Sequence, residues 1–407
     1  MTFSGAGEVQ RRAIQYGRAA FADAWTPSQW SIAPGRLELL GNHVDYNGGP
    51  VLAAAIDRAV AAGISPTGEP GALALVAGDV DPASWRIDID TIGDWHASED
   101  HGGPVSYARG IVAALSARGI PIRDGLQLSV AGNVPLGFGM SSSAALCVAL
   151  VLALTVEAPE PTEIVKIAQE AEHRAGAPVG AMDQSASVAG GIIIFDGATI
   201  TYEQITPDLG DYVFAVADSG VEHQNATSSY PTRVRESQEA LAILQRELNP
   251  DLTSLAAISD AEWETIQRSS DSWLNDVLMR RVRHVVTEVR RVRAGIAAVH
   301  RGDWDTFGHL MIDSGRSSAG DYEISHPLVE ELVADLIVMP GVLGARMMGG
   351  GEGGPALALL RRDQADAVSA ALAEGYFARH PGHASAGERF QVCVFGDGAH
   401  LETATAS

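Results

Sequence analysis

Lysine is almost missing from this 407-residue chain. Lys166 is the one lysine, and arginine supplies the other 27 of the 28 basic residues. A phosphate loop closed by a lysine is therefore excluded unless Lys166 is that residue. Cysteine is scarce as well: Cys147 and Cys393 are too few for a disulfide framework, and each sits in an apolar stretch that suits a buried thiol. A reducing, cytoplasmic setting is expected. No apolar run approaches the roughly eighteen residues of a membrane span, and "MTFSGAGEVQRRAIQYG" lacks the apolar centre of a signal peptide. Positive charge is short too. With 51 acidic residues the net charge is −23, a field that repels nucleic acid and anionic membranes and disfavours both as partners. An anionic ligand would need a local positive pocket.

The hydrophobic content of 46% can fill a large core, and the length favours two domains. Residues 51–65 and 71–80 read as sheet, and 107–120 as helix. Residues 126–135 alternate as a strand before a glycine-rich turn and the apolar helix 141–156. A second group starts with a core strand over 211–220. In its clearest helix, 279–302, Val282, Val285, Val289, Val292, Ile296 and Val299 make one apolar face, and the arginines are expected on a solvated one. The Pro-Asp-Leu-Gly stretch near 205–212 marks the boundary, giving domains 1–208 and 209–407. The tail "HLETATAS" is expected to fray.

Three glycine-rich constellations carry chemistry. In "NVPLGFGMSSSAALCVAL", Gly137 and Gly139 let backbone amides turn toward a ligand, and three serines open a helix whose N-terminal dipole favours negative charge. One serine would suffice to cap that helix, so the surplus points to an anion cradle. In "GARMMGGGEGGPALAL", five glycines in six positions ahead of a strand suggest close approach by backbone or ligand. In "GAPVGAMDQSASVAGG", Asp183 stands among small and apolar residues and calls for a specific partner.

Together these segments resemble the GHMP family of small-molecule kinases, and within it the galactokinases. "APGRLELLGNHVDYNGG" looks like the galactokinase signature and "PLGFGMSSSAAL" like the family's ATP loop. "GAPVGAMDQ" is similar to its catalytic-aspartate segment, "GARMMGGGEGG" to its third motif, and "HQNATSSYPTRVRES" to the region that supplies a sugar-binding tyrosine. "GDYEISHPLVEELV" resembles a C-terminal galactokinase stretch. The likeness runs in order from about residue 30 to residue 360.

The resemblance implies an α+β protein of two mixed α/β domains with the active site between them. It implies ATP and Mg²⁺ as cofactors and a small sugar, galactose or a close relative, as the substrate phosphorylated at its anomeric hydroxyl. Asp183 falls on the catalytic base and Arg36 on the arginine that stabilises the transferring phosphoryl group. Ser143 and Glu172 fall on the magnesium ligands. Gly137, Phe138, Gly139, Met140, Ser141, Ser142 and Ser143 would wrap the nucleotide's phosphates, and Asn42, His43, Asp45, Gly180 and Tyr230 would line the sugar pocket. The crowding of "GNHVDYNGG" then has a reason. A site that distinguishes epimers must pair vicinal hydroxyls with fixed polar groups, and Asn47-Gly48 can form the turn that holds Asp45.

The chain also departs from the pattern. Asn42 stands where galactokinases usually carry a glutamate that contacts the sugar's 6-hydroxyl. N-acetylgalactosamine, L-arabinose or a 6-modified hexose is therefore the alternative substrate, and a non-catalytic sugar and ATP sensor is the alternative role. Met348 and Glu352 depart in the third motif, where Glu352 adds negative charge beside the expected phosphates unless it points away. The spacing from Glu172 to Asp183 is one residue short.

Overall fold

The computed structural model describes residues 3–67, 69–97, 103–177, 179–221, 229–381 and 386–404. Pro178 and residues 223–228 of the segment leading to Tyr230 lie outside these.

The first sheet has eight strands. They are β1 (Gln29–Leu40), β2 (Pro50–Pro66), β3 (Ala72–Ala77), β4 (Asp81–Asp88), β5 (Leu126–Gly132), β6 (Ile192–Asp196), β7 (Thr201–Ile205) and, from the far end of the chain, a twelfth strand. The second sheet holds β8 (Tyr212–Asp218), β9 (Val342–Met347), β10 (Pro355–Arg361) and β11 (Phe390–Cys393), ordered β11-β8-β10-β9 and all antiparallel. The expected boundary at 208/209 runs between β7 and β8.

The frayed tail is corrected. His400–Thr403 forms β12, which pairs antiparallel with β1 from Gln29↔Thr403 to Ile32↔His400 and so returns the chain's end to the first sheet. Leu401, Thr403 and their neighbours are extended and complete the edge beside β1, a pairing that carries no local signal.

β1 and β2 are buried along most of their length because both faces of the sheet are covered. Helix α1 (Ala6–Ala20) lays Val9 and Ala13 on Trp30, Ile32, Ala59 and Ala61. On the other face, Ala54, Ile56, Val60, Ala62 and Ile64 join a core with Leu37 and Leu39. Around that core lie α2 (Pro104–Ala117), α3 (Ser142–Leu154), α4 (Pro161–Arg174) and α5 (Met182–Ala189). Every residue of α3 from Ala144 to Leu154 is buried, so this helix is apolar on all sides.

The second sheet is likewise two-faced. Val213, Ala215 and Ala217 meet Leu332 and Leu336, while Phe214, Val216, Leu357 and Leu359 join the main core with Trp304, Phe307 and Met311. The remaining helices named below are α6 (Tyr230–Glu247), α7 (Asp260–Trp273), α8 (Asp276–His300), α9 (Trp304–Gly320) and α10 (Pro327–Ile337). Arg283, Arg290 and Arg293 of α8 are exposed, as expected of a solvated face, and Arg281 is the exception. Arg281 is only 1% exposed and pairs with Glu236 and Glu323 at 2.6 and 2.7 Å, on the side where α8 packs against α6 and α9. Both cysteines are buried free thiols, as read from the sequence.

Candidate active site

One cavity of about 320 Å³ collects residues from six separated stretches of the chain. Along β1 the side chains alternate: Leu37 and Leu39 enter the core, so Arg36 and Glu38 face the cavity. Arg36 Nε and Nη2 donate to Asp183 Oδ1 and Oδ2, both at 2.7 Å. Arg36 Nη1 donates to the Gly139 carbonyl and the Arg36 backbone N–H to the Met140 carbonyl, which clamps the glycine-serine loop against β1. Asp183, the second residue of α5, also accepts from the Ser141 hydroxyl.

That loop delivers the start of α3 to the cavity. Gly137, Gly139 and Ser141 have φ of 78°, 58° and 54°, left-handed conformations that turn successive amides around one concavity. Ser141 precedes α3 without capping it, since its hydroxyl is committed to Asp183. The first amides of a fully buried helix are thus left for a ligand. Glu172, on α4, is 1% exposed and accepts from Gln184 and Ser143. Burial first, and then the Asp183 charge, raise its carboxyl to about 7.

The turn after β1 makes the opposite wall. His43 is held at φ 59°, its Nδ1 2.9 Å from the Tyr46 hydroxyl and its Nε2 3.2 Å from the Gly350 carbonyl. Tyr46 meets Tyr322 at 2.9 Å, Tyr322 meets Ser237 at 2.9 Å, and Asn47 Nδ2 donates to the His43 carbonyl at 2.8 Å. Asp45 projects against Gly180, where a Cβ would overlap its carboxylate oxygen. Burial first, then the charges of Glu38 and Asp183, push the Asp45 carboxyl up to about 7. Tyr230 opens α6 with its ring 5.0 Å from that of His43. Burial and the nearby carboxylates hold its phenol well above its usual range, so it stays protonated.

Of the residues expected from the sequence, Arg36, His43, Asp45, Gly137, Gly139, Met140, Ser141, Ser142, Ser143, Gly180, Asp183 and Tyr230 line this one cavity. Three do not. Phe138 packs on the core, where its ring is better solvated by hydrocarbon than beside phosphates. Glu172 lies behind Ser143. Asn42 is fully buried behind the wall, its Nδ2 donating to Glu38 Oε1 at 2.9 Å and to the Gly349 carbonyl at 3.1 Å. Glu352 points away from the loop: its Oε2 accepts from the Ser229 N–H at 2.8 Å, which ties the third motif to the start of α6.

The sequence reading missed the supports. Glu288 of α8 is fully buried and accepts from the backbone N–H groups of Gly41 and Asn42, from Ser314 and from Arg291. His284, one turn earlier, is 3.0 Å from the Asn42 carbonyl. Arg346 of β9, fully buried, donates to Glu38 Oε1 at 2.7 Å. His284 and Glu288 stand one turn apart beside the valine stripe of α8, and Arg346 comes from β9, far along the chain. A second cavity of about 250 Å³ adjoins the same end of α2, whose Tyr107 lines the first; it is walled by Leu75, Val80, Trp85, Val105, Asp81 and Arg109.

The chain matches the galactokinase galactose-binding signature over residues 18–66, the GHMP kinases N terminal domain over 106–191 and the GHMP kinases C terminal over 296–378. It is 32% identical over 351 residues to a galactokinase of Staphylococcus carnosus, covering 83% of this chain and 87% of that one. To a galactokinase of Homo sapiens it is 33% identical over 356 residues, covering 84% and 86%. The crystal structure of Lactococcus lactis galactokinase complexed with galactose superposes with a TM-score of 0.83 at 28% identity, covering 96% of this chain and 98% of that one. This is the two-domain GHMP kinase fold, and the chain belongs to the galactokinase family of sugar kinases, phosphotransferases with an alcohol group as acceptor.

Proposed function

We propose that this kinase transfers the γ-phosphoryl group of ATP to the anomeric hydroxyl of galactose or a closely related sugar. One observation carries the reading: the Arg36–Asp183 pair sits where the amides opening α3 and the polar turn holding His43 and Asp45 meet across a single cavity. The turn and Tyr230 would hold the sugar, and the α3 amides the phosphates. The second cavity, apolar on most sides and carrying Trp85, would take the purine.

In the reaction the anomeric oxygen attacks the γ-phosphorus, the bond to the β–γ bridging oxygen breaks, and ADP leaves. Asp183 receives the hydroxyl proton or orients it, and Arg36, already at that carboxylate, faces the charge of the transferring group. Phosphoryl transfer asks mainly for positioning and charge neutralisation, which these groups supply.

The residues also fit a magnesium ion. Glu172 is buried without an arginine ion pair, beside Ser143, and Gln184 Oε1 is buried with no partner among the described residues. Among the described residues no group of three or more His, Cys, Asp or Glu side chains could hold a metal alone, so Ser143 and Glu172 would share the ion with nucleotide oxygens and water. When bound, magnesium neutralises charge on the phosphates. The two buried thiols suit a reducing cytoplasm, and among the described residues no helix is long and apolar enough to cross a membrane.

The test is a coupled ADP-release assay with Mg-ATP against galactose, glucose, N-acetylgalactosamine, L-arabinose and galacturonate. Turnover with galactose that Asp183→Ala abolishes is expected. Preference for another sugar in the panel would overturn galactose as substrate, and binding of sugar and ATP without turnover would replace catalysis by sensing.

A further inference from the structure

Asn42 turns away from the cavity, yet the cavity is not short of a carboxylate. Glu38 lines it, and the two oxygens of Glu38 are unequal. Oε1 accepts from Arg346 at 2.7 Å and from Asn42 at 2.9 Å, whereas no hydrogen bond reaches Oε2 among the described residues. The side chain is only 8% exposed, yet Oε2 is not enclosed: it is open to the cavity, where a ligand hydroxyl can donate to it.

The support for Oε1 is itself buried. Arg346 and Asn42 are both fully enclosed, and Arg346 Nη2 also donates to the Glu38 carbonyl at 2.9 Å, which fixes the direction in which Oε2 points. Glu38 lies two residues from Arg36 on the same face of β1, about 7 Å along the strand. That distance is close to the span from the anomeric oxygen of a pyranose to the hydroxyls at its far edge.

We infer that Glu38 is the specificity-determining acceptor for a hydroxyl at the far edge of the sugar, the 4- or 6-position, with Arg346 and Asn42 as its positioning residues. The inference rests on the sugar-kinase reading above and deepens it. Such an acceptor selects neutral sugars that offer a donor there. It works against uronates, whose carboxylate would meet Oε2 as a like charge.

The experiment measures KM and kcat, together with sugar affinity by calorimetry, for galactose, 4-deoxygalactose, 6-deoxygalactose and galacturonate. It uses the full-length wild type, Glu38→Gln and Glu38→Asp. Glu38→Asp keeps the charge beside Arg346 and withdraws the second oxygen from the cavity, so it guards against a Gln variant that fails to fold.

Both variants are expected to raise the galactose KM at least tenfold while kcat changes less than threefold. The deoxy sugar lacking the contacted hydroxyl should bind wild type weakly and lose nothing further in the variants. The gap between galactose and galacturonate should narrow in Glu38→Gln. An unchanged galactose KM in a folded variant, or equal further losses for both deoxy sugars, would reduce Glu38 to a structural partner of Arg346. Wild type that neither binds nor phosphorylates galactose would overturn the functional reading, and with it the sugar assigned to Glu38.

Discussion

The Arg36 guanidinium meets the Asp183 carboxylate edge to edge, Nε on Oδ1 and Nη2 on Oδ2 at 2.7 Å each, while its third nitrogen holds the Gly139 carbonyl. One side chain thus fixes the carboxylate proposed as the base and the glycine-serine loop in a single geometry. Lysine offers a point charge without the planar fork and cannot span both oxygens. Arg36→Lys should lower kcat by about 10²–10³-fold, the scale of losing one preorganised electrostatic contact. The sugar KM should change less, because the sugar wall is built from other residues. Steady-state ADP release against galactose measures both; a KM effect larger than the kcat effect would place Arg36 in sugar binding instead.

Gly180 is glycine because Asp45 needs its space. A Cβ there would overlap Asp45 Oδ2, and the carboxylate cannot retreat far, since burial and the adjoining turn confine it. Gly180→Ala should therefore displace Asp45 and raise the sugar KM about tenfold or more, roughly the 1.4 kcal/mol of one weakened hydrogen bond. The KM for ATP should stay within about twofold, because the α3 loop is untouched. Titrating each substrate at saturating levels of the other separates the two effects.

Much of this site was legible because its chemistry concentrates in short contiguous stretches. A phosphate cradle needs glycines beside a helix start, and a sugar turn needs polar groups packed into a few residues, so residues 41–49 and 137–143 announce themselves. The supports were not legible. Glu38 sits in a strand of leucines and reads as an ordinary edge residue until Arg346, 308 residues on, is seen to hold it. His284 and Glu288 lie one turn apart on a helix whose valines alone predicted the buried face. That face is wider than the valine stripe, because α8 packs against the sugar turn as well as α6 and α9. The tail strand and the direction of Asn42 depend on long-range pairing, for which neighbouring residues carry no signal.

Glu288 joins α8 to the sugar turn and should therefore link stability to affinity. Burial raises its carboxyl, but the charges of Arg291, His284 and Arg346 and the Ser314 hydrogen bond outweigh that and hold it below its usual value. Its stabilisation is present above the ordinary glutamate range and is lost as pH falls through the lowered value. Glu288→Ala leaves two backbone N–H groups, Ser314 and Arg291 without their acceptor, at a cost of about 3–5 kcal/mol. Urea unfolding should show that loss at pH 7 and a smaller one on acidification. If the variant folds at low temperature, its sugar KM should rise while its ATP KM holds.

Asp45 is expected to make sugar binding sensitive to pH. In the free protein its carboxyl titrates near 7, raised first by burial and then by Glu38 and Asp183, against the lowering effect of the Tyr46 N–H. A raised carboxyl favours the protonated folded form, so this group's contribution to stability is full below about pH 4 and is lost as pH rises through about 7. Sugar hydroxyls that donate to the ionised carboxylate act in the opposite direction and recover part of that loss. Galactose should accordingly bind more tightly as pH rises from 6 to 8, with affinity falling up to about tenfold per unit below the titration point. The thermal shift that galactose produces should grow over the same range. Asp45→Asn cannot ionise and should bind weakly with no such slope. Calorimetry at pH 6, 7 and 8 without nucleotide reads the sugar step alone, and a wild-type affinity that is flat across this window would show that Asp45 is already charged or that the sugar does not reach it.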